Sequence, residues 1–120
     1  MNTANVIAAC SYGSWYLCSP YTHADESVIT ARYDEACKAI ALLMRASVDI
    51  YSPIVHTHVL HARHGLPMNY AFYRHMDESR IAASDGIVIL MLNGWAESFG
   101  VGEECKFAES LYKPVIFWEW

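Results

Sequence analysis

Apolar residues fall along this chain in two alternating patterns. Some form short unbroken runs, and others recur every three or four positions over longer stretches. The runs read as buried strands, and the recurring stretches as helices with one face on a core. Ser14-Trp15-Tyr16-Leu17-Cys18 is the first run, stopped at Ser19-Pro20 because proline cannot donate to a ladder. Thr22 with Asp25 three residues later reads as a capping box, opening a helix to about Arg45 with Ile29, Tyr33, Ala36, Ile40 and Leu43 on its core stripe. Asp49-Ile50-Tyr51-Ser52 is a short strand closed by Pro53, and a loop carrying four histidines is expected from there to Pro67. A helix from about Asn69 to Ala83 leads through Ser84-Asp85, a capping or turn pair, into the central strand Gly86–Leu92. A further helix is expected to begin near Gly102, with Glu104, Ala108 and Leu111 on one face. Lys113-Pro114 then introduces a last strand, Val115–Trp118.

Strands alternating with helices of this length predict an α/β fold. The expected form is a Rossmann-like (flavodoxin-like) three-layer sandwich around a parallel sheet of four to five strands. Met1 to Gly13 has no clear period and is expected to be a loose lead-in, leaving residues 14–120 as a single domain. In such a sheet the ligand sits at the carboxyl ends of the strands. That brings together Tyr16–Tyr21, Ser52–His64 and Asn93–Glu104.

Two carboxylates stand out against this pattern. Glu104 falls on the inward face of its helix, at the edge of a strand and beside Gly100 and Gly102, where a helix N-terminus favours the ionised form. A solvated first-turn glutamate describes Glu103 better. Asp77 shares a helix face with Tyr70, Tyr73 and Ile81, so it either has a hydrogen-bond partner or carries a raised pKa.

Composition narrows the classes. Hydrophobic residues make up 54% and charged residues 18%, which describes a packed globular domain. A formal charge of −5 argues against long nucleic acid but leaves a small anionic ligand open. Cys10, Cys18, Cys37 and Cys105 form no CxxC pair and no tight framework, which suits reduced thiols in a cytoplasmic protein. Nothing approaches a membrane span. The spacing of His56, His58, His61 and His64 matches no strong zinc pattern, so no metal and no cofactor are expected. Those histidines are assigned to loop hydrogen bonds or ligand contact.

The ordered set Tyr16-Leu17-Cys18-Ser19-Pro20-Tyr21, Tyr51-Ser52-Pro53, Asp77 with Ile81 and Ser84-Asp85, and Ser98, Gly100-Val101-Gly102, Glu104 with Lys113-Pro114-Val115 resembles the nucleoside 2-deoxyribosyltransferase superfamily. Ser52–His58, Arg63–Pro67 and Leu92–Trp95 resemble most its DUF1937 branch, a small bacterial and phage group of unassigned function. The resemblance runs from Trp15 to Phe117. It implies Glu104 as the nucleophile on C1′ of a nucleoside sugar, Tyr16 as the residue that positions it, and Asp77 as the group handling the base or its proton. Ser19, Tyr21, His56, His58, Ser98, Gly100 and Gly102 are the implied substrate-binding positions.

Transferases of the superfamily usually carry an aspartate where this chain has Ser98. A serine there resembles the branch that hydrolyses deoxynucleoside 5′-monophosphates, and implies a phosphate contact. The first loop, Ser19-Pro20-Tyr21, lacks the glycine and arginine that clamp the phosphate in those hydrolases. Hydrolysis of a nucleotide, deoxyribosyl transfer, and a nucleotide-binding sensor without turnover all stay open. The resemblance also implies a homodimer or higher homo-oligomer in which a neighbouring subunit completes the site.

Overall fold

Four parallel strands form one sheet in the order β2-β1-β3-β4. In the computed structural model, which describes residues 1–120, the chain runs α1 (Thr3–Ala9), β1 (Ser14–Cys18), α2 (Glu26–Arg45), β2 (Asp49–Tyr51), α3 (Pro53–His64), α4 (Tyr70–Ala83), β3 (Gly86–Leu90), α5 (Phe99–Ser110) and β4 (Val115–Trp118). The expected α/β sandwich is borne out, with four strands. The strand order reproduces the start of the flavodoxin-like order, whose switch point lies between β1 and β3.

Alternation along the strands divides the core in two. Trp15, Leu17, Val88, Leu90, Ile116 and Trp118 point to one face, where they meet Ala39, Ile40 and Leu43 of α2 and Val6 of α1. Tyr16, Cys18, Ile87 and Ile89 point to the other and meet Ile81 of α4 with Val101 and Ala108 of α5. Tyr16 and Ile87 are register partners, so the second face runs continuously from β1 to β3. At the opposite edge the turn into β1 is tight. Ser14 N–H donates to Asp85 Oδ2 at 2.8 Å, and Asp85 N–H donates to Ser14 O at 2.8 Å. Gly13, at φ +79°, is needed there, because a Cβ would overlap the Asp85 carboxylate.

Four local expectations are corrected. The segment before Gly13 is not loose: α1 is capped by Asn2, buries Val6, and is followed by the buried Cys10. The N-cap of α2 is Asp25, whose carboxylate accepts from Ser27 N–H; Thr22 precedes the helix and caps nothing. The histidine segment is the helix α3, with Ser52 as N-cap and Pro53 in its first turn. Proline suits that position, because its missing N–H would have no helical partner there. The helix expected near Gly102 begins at Phe99, since Ser98 caps it by accepting from Val101 N–H at 3.3 Å. Leu111 lies past its end and is exposed; Val101 takes the inward place instead.

Candidate active site

The carboxyl ends of β1, β2 and β3 open into a cavity of about 480 Å³, a size typical of small-molecule sites. Each of the three following segments contributes to its wall: Ser19 and Tyr21 after β1, Pro53 and Thr57 after β2, and Ser98 and Gly100 after β3. The helices add Asp77 and Glu104.

Glu104 lies in the second turn of α5, between Val101 and Ala108 on the face packed against the sheet, and is only 6% exposed. The Tyr16 hydroxyl donates to its Oε2. Burial raises the Tyr16 phenol well above its usual range, so it keeps its proton and acts as the donor. The Tyr16 ring leans on Tyr51, whose outer face carries the Arg80 guanidinium at 4.4 Å. A cation, two aromatic rings and a carboxylate thus form one packed row behind the cavity.

Asp77 is 7% exposed on the inward face of α4, beside Ile81. Of the two outcomes open for it, the structure shows the second: desolvation raises its carboxyl to about 6. The Glu104 carboxyl is pushed up to about 8, chiefly by burial; the Tyr16 hydrogen bond pulls it down and the nearby Asp77 charge pushes it up. An ionised Glu104 was expected from a place in the first turn of a helix. The helix starts three residues earlier, so the carboxylate is deeper in the fold and further from the unpaired N–H groups. Asp77 thus ionises before Glu104.

The cavity gathers Ser19, Tyr21, Asp77, Ser98, Gly100 and Glu104, with Tyr16 one hydrogen bond behind. Three implied binding residues are not on its wall. Gly102 is exposed on α5. His56 is exposed and borders a separate cavity with Tyr51, Phe72 and Met76, because residues two apart on a helix face different ways. His58 stands behind Tyr21, its Nδ1 2.6 Å from the phenol oxygen. No group of three or more His, Cys, Asp or Glu side chains is arranged to hold a metal ion. All four cysteines are free, and no helix is long and apolar enough to cross a membrane.

Arg32 is a site residue that sequence reading missed. It is the one lysine or arginine on the cavity wall, and it fastens two of the loops together. Its Nη1 donates to Thr22 O at 3.0 Å and Tyr21 O at 3.4 Å, and its Nη2 donates to Asn93 O at 3.2 Å. Gly94 lets the guanidinium come so close: its φ is +91°, and a Cβ there would stand 2.6 Å from Nη2. Tyr70, Tyr73 and Phe99 supply an aromatic wall, with Tyr70 and Phe99 edge to face at 5.8 Å.

A parallel α/β domain with two buried carboxylates facing one cavity at its switch point is the class that fold and site define. The family model described as "Domain of unknown function (DUF1937)" matches residues 13–120, and the chain belongs to that family. A search of curated proteins found no match.

Proposed function

We propose that this protein cleaves the N-glycosidic bond of a 2′-deoxynucleoside or its 5′-monophosphate, with water as the acceptor of the sugar. One observation carries the reading: Glu104 and Asp77, from different helices, are buried at the wall of one cavity, and Glu104 is gripped from behind by Tyr16. Cleavage at C1′ builds up positive charge on the sugar and negative charge on the departing base. A carboxylate at C1′ answers the first and a carboxylic acid at the base answers the second.

Between about 6 and about 8 the two carboxyl groups together hold one proton and one negative charge. The reactive microstate of this pair has the charge on Glu104 and the proton on Asp77, and from it Glu104 Oε attacks C1′ as the bond to the base breaks. The proton leaves on the base from Asp77. Water then attacks C1′, gives its proton to the Asp77 carboxylate, and releases Glu104. A second base in place of water would give deoxyribosyl transfer by the same steps.

The supporting residues fit these roles. Tyr70, Tyr73 and Phe99 offer the base an aromatic wall. Ser98 lines the cavity while its Oγ caps α5, so a 5′-phosphate would meet the start of that helix.

The test is release of free base from a panel of deoxynucleosides and deoxynucleoside 5′-monophosphates, followed by chromatography. Wild type should release base from at least one of them and Glu104→Ala should not. Tight binding without release by either would support a nucleotide-binding sensor instead.

A further inference from the structure

Tyr21 lies on the cavity wall, and its hydroxyl is engaged from behind. Its oxygen is 2.6 Å from His58 Nδ1 on α3. His58 is held in turn: it stacks on Tyr33 of α2 with centroids 4.0 Å apart and planes 19° from parallel, and it meets the Tyr21 ring edge-on. Between a neutral phenol and a neutral imidazole the phenol is the more acidic donor and the ring nitrogen the more basic acceptor, which favours O–H···N over N–H···O. The phenol therefore donates and Nδ1 accepts. Burial lowers the His58 pKa, which agrees with a neutral ring carrying a lone pair at that nitrogen. A phenol has one hydrogen, and here it is spent. What Tyr21 presents to the cavity is an acceptor oxygen.

We propose that His58, acting through Tyr21, sets the polarity of this part of the cavity, so that the ligand group seated against Tyr21 is a hydrogen-bond donor, namely a sugar hydroxyl. This rests on the nucleoside reading above and extends it to a specificity determinant. A phosphate or carboxylate offers only acceptors and would face the Tyr21 lone pairs. Ser19, two residues earlier and on the same wall, has the one fully buried side-chain oxygen or nitrogen in the molecule without a partner. A hydroxyl-bearing ligand can satisfy it, since a hydroxyl both donates and accepts. Arg32, the nearby cation, directs its Nη groups to backbone carbonyls. His58 is thus a positioning residue that never touches the ligand.

Two measurements test this. The first needs no ligand: nitrogen NMR of the protein labelled in its imidazoles should give His58 Nδ1 the shift of an unprotonated ring nitrogen, and a protonated Nδ1 would overturn the assignment. The second compares dissociation constants, in a Glu104→Gln background that prevents turnover, for the common 2′-deoxynucleosides and analogues with fluorine replacing the 3′- or the 5′-hydroxyl. Fluorine cannot donate. One fluorinated series should bind about tenfold more weakly than its parents, the scale of one lost hydrogen bond. Tyr21→Phe should erase that difference. His58→Phe keeps a ring stacked on Tyr33 but frees the phenol hydrogen, so it should let the fluorinated series recover. Equal binding of hydroxylated and fluorinated forms by the unaltered loop would overturn the proposal. If no nucleoside binds at all, the nucleoside reading fails, while the NMR result still upholds or overturns Tyr21 as an acceptor.

Discussion

The hydroxyl of Tyr16 donates to the carboxylate of Glu104 across 88 positions of sequence, joining the middle of β1 to the second turn of α5. A buried carboxyl without that donor would be harder still to ionise, because the hydrogen bond is the one influence that lowers its pKa. Tyr16 is therefore the residue through which the sheet tunes the Glu104 carboxyl.

Tyr16→Phe should leave the packing of the second core face almost intact and raise the Glu104 pKa further. The pH profile of kcat/KM for wild type should be bell-shaped, with limbs near 6 and 8. In the variant the alkaline limb should move upward, and the rate at neutral pH should fall by about tenfold, the equivalent of one pKa unit. A fall in rate with both limbs unmoved would assign Tyr16 a packing role only.

Stability should follow the same two groups. Each carboxyl has a folded pKa above its unfolded value, from 4.5 to about 8 for Glu104 and from 3.8 to about 6 for Asp77. Such groups favour the folded state fully below the unfolded value, and that contribution is lost as pH rises through the folded one. Tm should therefore decline from about pH 4 to about pH 8 in two overlapping stages, a steep one up to about pH 6 to which both groups contribute and a gentler upper one due to Glu104 alone. Glu104→Gln, which stays neutral, should flatten the upper stage and melt several degrees above wild type at pH 9. Thermal melts from about pH 4 to about pH 9 check both points.

Legibility of this fold in the sequence followed how much each segment depends on its neighbours. Ser14–Cys18 and Val115–Trp118 were readable because unbroken apolar runs end at prolines or charges, and both strands occur as expected. Glu104, Asp77 and Tyr16 were readable because each breaks an apolar face, and a buried polar group needs a reason. The helix α3 was not. Pro53 can close a strand or open a helix, and only the capping bond from Val55 N–H to Ser52 Oγ decides between them. Gly100 and Gly102 read as a loop because glycine is a poor helix former, although the Ser98 cap fixes the start earlier. Arg32 gave no local signal, since its carbonyl partner at Asn93 lies 61 residues away. The depth of Glu104, and with it the order in which the two acids ionise, followed from that same helix start.

Assembly offers a separate test. Phe117 and Trp120, in and just after the edge strand β4, are each 41% exposed, apolar area that a second copy would cover. Sedimentation at micromolar concentration should give at least a dimer. A clean species of 13.6 kDa would contradict this.

The central claim is that Glu104 forms a bond to C1′, and a slow substrate can catch it in the act. A 2′-fluorinated deoxynucleoside destabilises the positively charged transition state and so slows breakdown of any glycosyl–enzyme intermediate. Incubation with such analogues, digestion and peptide mass spectrometry should find the added sugar on Glu104, with none in Glu104→Gln. A sugar attached elsewhere, or base released by Glu104→Gln as fast as by wild type, would contradict the mechanism.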